Sequence, residues 1–337
     1  YRPDMKYTNL LHFYFVEVKL QYVFISKRTP LFFSNLAIPG MASLSFFPNT
    51  DPLLRHPSDD GTHVVQEGKE ELFAKWFHDN GGSYPKIEWP SRNTMGQVRG
   101  TTAIDDILTN EPMLYVPENI MISPPICRSN PLIGHVFTEN ELFFNRDDDT
   151  MLAVFVMFEK ERGEESFWHP YLAMLPWPCS VADWSPKELA ELQDRHLLQQ
   201  ATLRPIKLKE KYEVLMAMLL PKYEQLFSRE IHTLEKYVFA WMTIQARAFG
   251  RRIPWTALVP FADCLNHTNV QTKYDFNVDA SNKGVFRLYP TGDNQYLKGS
   301  EVFNSYGRRD NRFLLMEYGF VSSSWTALDR VEPSVQR

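Results

Sequence analysis

The stretches that decide the fold lie late in the chain: Val259-Pro-Phe-Ala-Asp-Cys-Leu-Asn-His-Thr-Asn269 and Glu301-Val-Phe-Asn-Ser-Tyr-Gly307, the second followed by Asn311 and by Leu314-Leu-Met-Glu-Tyr-Gly-Phe320. Each sets amide, imidazole or phenol groups among apolar residues. Taken alone, an Asn-His pair in a turn is a structural feature, because a short polar side chain bonds its neighbouring backbone. No familiar catalytic constellation competes for the chemistry elsewhere. Nine histidines are present, yet none forms His-Glu-x-x-His, and there is no Cys-x-x-Cys pair, phosphate loop or Gly-x-Gly-x-x-Gly fingerprint. A serine nucleophile elbow is missing too. Asp147, Asp148 and Asp149 open a helix, where carboxylates complement the dipole, so capping and solvation are their expected role.

Outward from these stretches, residues 257–260, 275–279, 285–289 and 301–304 read as short strands. A second strand region spans residues 101–123, around the turn Thr109-Asn110-Glu111-Pro112. Between them the pattern is helical. Residues 151–160 are almost wholly apolar, with Gly163 placed to close the helix. Ser185-Pro186-Lys187-Glu188 is a capping box, predicting a helix to about Gln200. Residues 209–226 continue helically with an expected break at Pro221, and residues 228–249 place Ile231, Leu234, Val238, Trp241 and Gln245 on one face. Near the start, Leu72, Phe73, Trp76 and Phe77 share a helical face that Asn80-Gly81-Gly82 terminates. The pattern is α+β, two strand regions joining into one domain with helices inserted between them.

Composition narrows the function classes. The 337 residues hold 36 Lys+Arg against 41 Asp+Glu, a net charge of −5, and 44% are hydrophobic. That excludes wholesale disorder and lacks the basic footprint of a DNA-binding domain, while leaving basic peptide substrates open. Cys127, Cys179 and Cys264 are too scattered for a disulfide scaffold or a four-cysteine zinc site, which points to a reducing compartment. The longest apolar run, residues 10–25, is broken by His12, Glu17, Lys19 and Gln21, so no membrane helix is expected. Met41 opens Met-Ala-Ser-Leu-Ser and reads as a start, which would leave residues 1–40 extraneous; a processed targeting leader is the rival reading.

In order, these motifs resemble the SET-domain methyltransferases, specifically the subgroup of the Rubisco large-subunit lysine methyltransferase, with its Asp-x-x-Asn-His segment, Tyr-Gly segment and final Tyr-Gly-Phe. Glu161-Arg-Gly-Glu-Glu-Ser-Phe-Trp-His-Pro-Tyr171, with Leu175-Pro176, resembles the subgroup's helical insertion. Residues 76–82 resemble its first helix and residues 100–117 its N-terminal strands. The resemblance implies a SET-domain β-fold split by a large helical insertion. It divides the chain into an N-terminal extension over 1–65, a SET domain over 66–321 with the insertion at about 128–240, and a tail over 322–337.

What the resemblance implies for function is S-adenosylmethionine (SAM)-dependent transfer of a methyl group to a lysine nitrogen of a protein substrate. Methyl transfer needs a sulfonium held with its methyl in line with a neutral nucleophile, and little acid–base machinery. By resemblance, Asn266 and His267 hold the cofactor, the Asn266 amide offering donors and an acceptor. Arg247 meets the cofactor carboxylate, a charge-assisted pair. Tyr306 is the catalytic tyrosine and also borders the cofactor, and Tyr318 lines the lysine channel. The N-terminal cofactor loop corresponds to Gln97, Val98 and Arg99. There Val98 replaces a glycine that lets the backbone approach the cofactor, and Gly299-Ser300-Glu301 is a lesser departure. Relatives commonly continue past the position of Arg337 into a helical domain that helps bind substrate.

Two alternatives remain at this level. Asn266-His-Thr-Asn269 also resembles the actin-histidine methyltransferase branch, and Val98 suits a non-catalytic SET-like binding module. The expected partner is a lysine-containing protein bound by a monomer, with no metal, no nucleic acid and no membrane. The expected compartment is cytosol or nucleus, or a plastid if the N-terminal segment is a genuine leader.

Overall fold

The computed structural model describes residues 68–92, 99–145, 147–178, 180–181, 184–278 and 283–322. Gln97, Val98, Met41, Cys179, the extension over 1–65 and the tail beyond Ser322 lie outside the described residues.

Helix α1 (Lys69–Asp79) buries Phe73 and Phe77, one turn apart, and ends where Gly81 takes a φ of 87°. A Cβ on Gly82 would overlap the Phe77 ring, so only glycine lets the chain turn this tightly. Leu72, expected on the same face, is 45% exposed, because Phe73 and Phe77 set the buried stripe and Leu72 falls beside it. Strand β1 (Ile87–Arg92) pairs antiparallel with β2 (Arg99–Ala103), Ile87 opposite Ala103. Strand β3 (Leu114–Pro117) belongs to a second sheet with β4 (Thr272–Val278) and β5 (Gly284–Pro290), in the order β3-β5-β4. Phe286 of β5 stands between Val116 and Phe276, both sheet partners antiparallel. Residues 257–260 and 301–304, expected as strands, form only isolated bridges, such as Ile122 to Leu258 and Thr102 to Glu301. Residues 301–304 instead divide their backbone bonds between β2 and residues 266–267, and so approach the site without forming a continuous ladder.

Between β3 and β4 the chain is helical: α2 (Pro124–Ser129), α3 (Gly134–Glu139), α4 (Glu141–Phe144), α5 (Asp148–Glu161), α6 (His169–Met174), α7 (Pro186–Leu189), α8 (Arg195–Tyr223) and α9 (Leu234–Arg247). In α5 every residue from Thr150 to Glu159 is buried. Asp147 caps it by accepting from the Thr150 N–H, while Asp148 accepts from Thr256 N and Asp149 from Gln245 Nε2 at 2.8 Å. The acidic triplet thus ties the helix start to α9 and to the segment entering the site. The Ser185 capping box is present, but α7 stops at Leu189 and a fresh N-cap, Asp194, opens α8. Helix α8 then runs through both Pro205 and Pro221, each removing one backbone donor from a helix of 29 residues whose packed face holds it together. Helix α9 begins at Leu234 behind the Thr233 cap, and Ile231, expected on its buried face, is exposed in the preceding turn. Among the described residues no helix is long and apolar enough to cross a membrane. Helix α10 (Asn311–Tyr318) closes the fold.

One aromatic cluster joins α1 and β1 to the site-bearing loop. Phe73 meets Trp89 edge-on, and Tyr84 stacks on Phe261 at 3.8 Å and 12°. Phe261 has a φ of 71° although it is no glycine. Such backbone costs about 1–3 kcal/mol. Full burial of its ring, worth about 2–3 kcal/mol, offsets the strain. The reversal at Phe261 aims the next residues, from Ala262 to His267, at the site.

Candidate active site

Three backbone segments meet beneath the end of α9. Asn304 N donates to Asn266 O at 2.9 Å, and His267 bridges Asn304 in parallel, so residues 265–267 and 302–306 run side by side. Val302 N donates to Thr101 O at 3.0 Å and the Thr101 hydroxyl returns a bond to Val302 O at 2.7 Å, bringing β2 against the same place. Asn266 clamps the junction: its Nδ2 donates to Arg99 O at 3.1 Å and to Glu301 Oε1 at 2.9 Å. Both amide hydrogens are therefore engaged within the protein, contrary to the expected use of those donors on a cofactor. The amide oxygen and the main-chain N–H remain for a ligand, the carbonyl being taken by Asn304 N. A Cβ on Gly100 would sit 2.8 Å from Glu301 Oε1 and 3.1 Å from Asn266 Nδ2, so glycine is required here for close approach.

His267 and Tyr306 form the next layer. Their rings stack at 4.9 Å and 22°. Tyr306 N lies 3.1 Å from His267 Nδ1, and a backbone N–H can only donate, so Nδ1 is the acceptor and the ring proton resides on Nε2. Asn304 O also stands 3.3 Å from this nitrogen. Burial pushes the His267 pKa down, keeping the imidazole neutral. The Tyr306 hydroxyl donates to Leu265 O at 2.9 Å, and burial pushes that phenol far up, so it stays protonated. The Tyr318 ring lies 4.8 Å from that of Tyr306, with Phe313 and Phe320 each 6.2 Å from Tyr318. Phe320 also faces His267.

Arg247, the last residue of α9, directs Nη1 to Asp263 O at 3.0 Å and Asp263 Oδ2 at 3.3 Å. The Tyr171 hydroxyl, from α6, donates to that same Oδ2 at 2.8 Å. Burial raises the Asp263 pKa, and Arg247 and Tyr171 both oppose the shift. Arg99 turns its side chain away from this place: Nη1 meets Glu70 Oε1 at 3.0 Å and the guanidinium lies over Trp89. Only its carbonyl, held by Asn266, belongs to the site.

No family model matches the chain. It is 32% identical over 296 residues to the chloroplastic [fructose-bisphosphate aldolase]-lysine N-methyltransferase of Arabidopsis thaliana, covering 82% of this chain and 58% of that protein. With the chloroplastic ribulose-1,5 bisphosphate carboxylase/oxygenase large subunit N-methyltransferase of Pisum sativum it shares 29% over 274 residues, 77% of this chain and 53% of the other. Among solved structures, the SET domain of LSMT (the Rubisco large-subunit methyltransferase) bound to lysine and AdoHcy superposes with a TM-score of 0.65 at 25% identity, covering 77% of this chain and 58% of that one. The chain belongs with the SET-domain proteins of the Rubisco large-subunit methyltransferase-like group. It spans a little over half the length of these curated relatives.

Within this SET fold, the structure brings Arg247, Asn266, His267, Tyr306 and Tyr318 to one place, with Arg99 contributing main chain. Sequence reasoning missed Tyr171 and Asp263 as a pair, although both sit in quoted motifs. It also missed Glu301 as the partner of Asn266, since the two stand 35 residues apart in the chain and periodicity carries no signal over that separation.

Proposed function

We propose that this chain is a SAM-dependent protein-lysine N-methyltransferase, acting as a monomer without nucleic acid, metal or membrane. The observation that carries the reading is the neutral, preorganised centre formed by Tyr306, Leu265 O and His267 beside a guanidinium. When bound, SAM supplies a methyl group on a cationic sulfonium. The donor set fits that group. The Arg247 guanidinium suits its carboxylate, and the Leu265 carbonyl and Tyr306 oxygen are uncharged acceptors that tolerate the cation. A neutral His267 adds no positive charge nearby. Asn266 is assigned to the cofactor through its main-chain N–H and Oδ1, His267 through its main chain, and Gln97, Val98 and Arg99 as the N-terminal cofactor segment of the motif.

Tyr306 is assigned the orienting of the incoming nitrogen, and Tyr318 the lining of an aromatic lysine channel. A free lysine has a pKa of about 10.4, so its nitrogen must shed a proton first. An apolar aromatic channel disfavours the ammonium and lowers that pKa. Among the compartments weighed, the chloroplastic names of two relatives favour a plastid over cytosol or nucleus, which immunolocalisation of the endogenous protein tests.

The test is incubation with methyl-tritiated SAM and either fructose-bisphosphate aldolase or the Rubisco large subunit, the proteins named by those relatives. Amino-acid analysis of the product is expected to return methyl-lysine. Methyl-histidine would replace the lysine assignment by the histidine one.

A further inference from the structure

The mouth of the site carries charge opposite to that of the whole protein. Two arginine pairs, Arg251-Arg252 after α9 and Arg308-Arg309 after Gly307, come from chain segments more than fifty residues apart. One arginine of each pair, Arg251 and Arg309, converges on a single backbone position. A Cβ on Gly307 would lie 3.6 Å from Arg309 Nε and 3.8 Å from Arg251 Nη1, and Gly307 directly follows Tyr306. Arg251 N donates to the Tyr274 hydroxyl at 3.3 Å, which anchors its segment to β4. Arg309 stacks its guanidinium over Phe313 at 4.0 Å, beside Tyr318. Burial raises the Tyr318 phenol, and the positive charges of Arg309 and Arg251 partly oppose that rise.

The local carboxylates are already matched to other cations. Asp310 caps α10 through Phe313 N and pairs with Arg312 at 3.0 Å. Glu317 makes a two-pronged pair with Arg204 of α8. Among the described residues none of Arg251, Arg252, Arg308 and Arg309 has a carboxylate partner, and Arg309 Nε is buried without a hydrogen-bond partner. Arg251 and Arg309, held side by side in a net-acidic protein, are costly unless something negative meets them.

Resting on the lysine-methyltransferase reading, we propose that the rim formed by Arg251 and Arg309, extended by Arg252 and Arg308, selects protein substrates whose target lysine is flanked by aspartate or glutamate. Planar guanidinium groups bind carboxylates in two-pronged pairs, so the preference extends beyond simple attraction of negative charge. The net charge of −5 alone would have favoured basic peptides. The rim overrides it, because charges within a Debye length of about 10 Å dominate what a bound peptide feels.

The test uses three fluorescein-labelled peptides, each with one central lysine flanked by Asp/Glu, by Asn/Gln or by Lys/Arg, and measures binding to the full chain by anisotropy in the presence of S-adenosylhomocysteine. The acidic peptide is expected to bind about fivefold more tightly than the neutral one at low salt, and the basic peptide more weakly still. The ratio should shrink toward one in 0.5 M salt, by screening over about 4–5 Å. Arg309→Gln and Arg251→Gln are each expected to reduce the acidic-to-neutral ratio, and the double variant to abolish it. Equal binding of the three peptides, or a preference that survives salt and the double variant, overturns the proposal. Tritium transfer from SAM to the same peptides is read separately. Acidic preference in binding with no transfer to any lysine would leave the rim standing and sink the lysine-methyltransferase reading.

Discussion

The Tyr171 hydroxyl donates to Asp263 Oδ2 at 2.8 Å, and the same oxygen stands 3.3 Å from Arg247 Nη1. A residue of the helical block thereby fixes the carboxylate that orients the guanidinium of the site. Both Tyr171 and Asp263 are buried, so neither partner has water as a substitute.

Tyr171→Phe removes one donor and leaves Asp263 with Arg247 and the long Cys264 Sγ contact at 3.9 Å. Losing a buried bond to a charged group costs about 1.5–3 kcal/mol. Part of this is expected as weaker SAM binding, about tenfold in Kd by calorimetry. Because the lost bond had opposed the raised Asp263 pKa, the variant's affinity should also begin to fall at a higher pH than the parent's as the solution is acidified. A uniform loss across pH would mark a merely structural role.

Tyr306→Phe deletes the hydroxyl that rests on Leu265 O while keeping the stack on His267. Methyl transfer should drop about 100-fold or more with SAM affinity nearly unchanged, the pattern of a preorganised polar group acting in the transition state. Single-turnover rates beside calorimetric Kd values check it.

His267 accepts from Tyr306 N only while neutral. Its folded pKa is depressed below the unfolded value of about 6.5, so its contribution to stability is complete above that pH and is lost as pH falls through the folded pKa. Nitrogen NMR of the imidazoles should find His267 in the Nε2–H form at pH 7, titrating below 6.5. A proton on Nδ1 at neutral pH would contradict the assignment.

Gly100→Ala drives a methyl against Glu301 Oε1 and Asn266 Nδ2. The expected cost is about 1–3 kcal/mol of stability, with SAM binding weakened further because β2 must withdraw from the clamp. Thermal melts with and without SAM separate the two effects.

Much of this was legible in the residues. Phe73 and Phe77 announce α1, and the Asp147 cap and Ser185 box are where their chemistry places them. Strand β1 escapes a sequence reading because Pro90 interrupts its alternation at the point where the register with β2 shifts. The helix expected to run on from Ser185 fails because Asp194 offers a stronger local cap to a new one. At the site, Asn266, His267 and Tyr306 stand together through local motifs. The Arg251–Arg309 rim and the Tyr171–Asp263 bond depend on tertiary closure between distant segments, for which periodicity carries no signal.

Calorimetric titration of the chain with SAM tests the central claim most directly, since it needs no knowledge of the protein substrate. One molecule of SAM is expected to bind per chain, and Arg247→Met, with its fold verified by circular dichroism, is expected to weaken that binding at least about tenfold through loss of the charge-assisted pair. A folded parent chain that gives neither heat nor a rise in melting temperature with SAM would contradict the account.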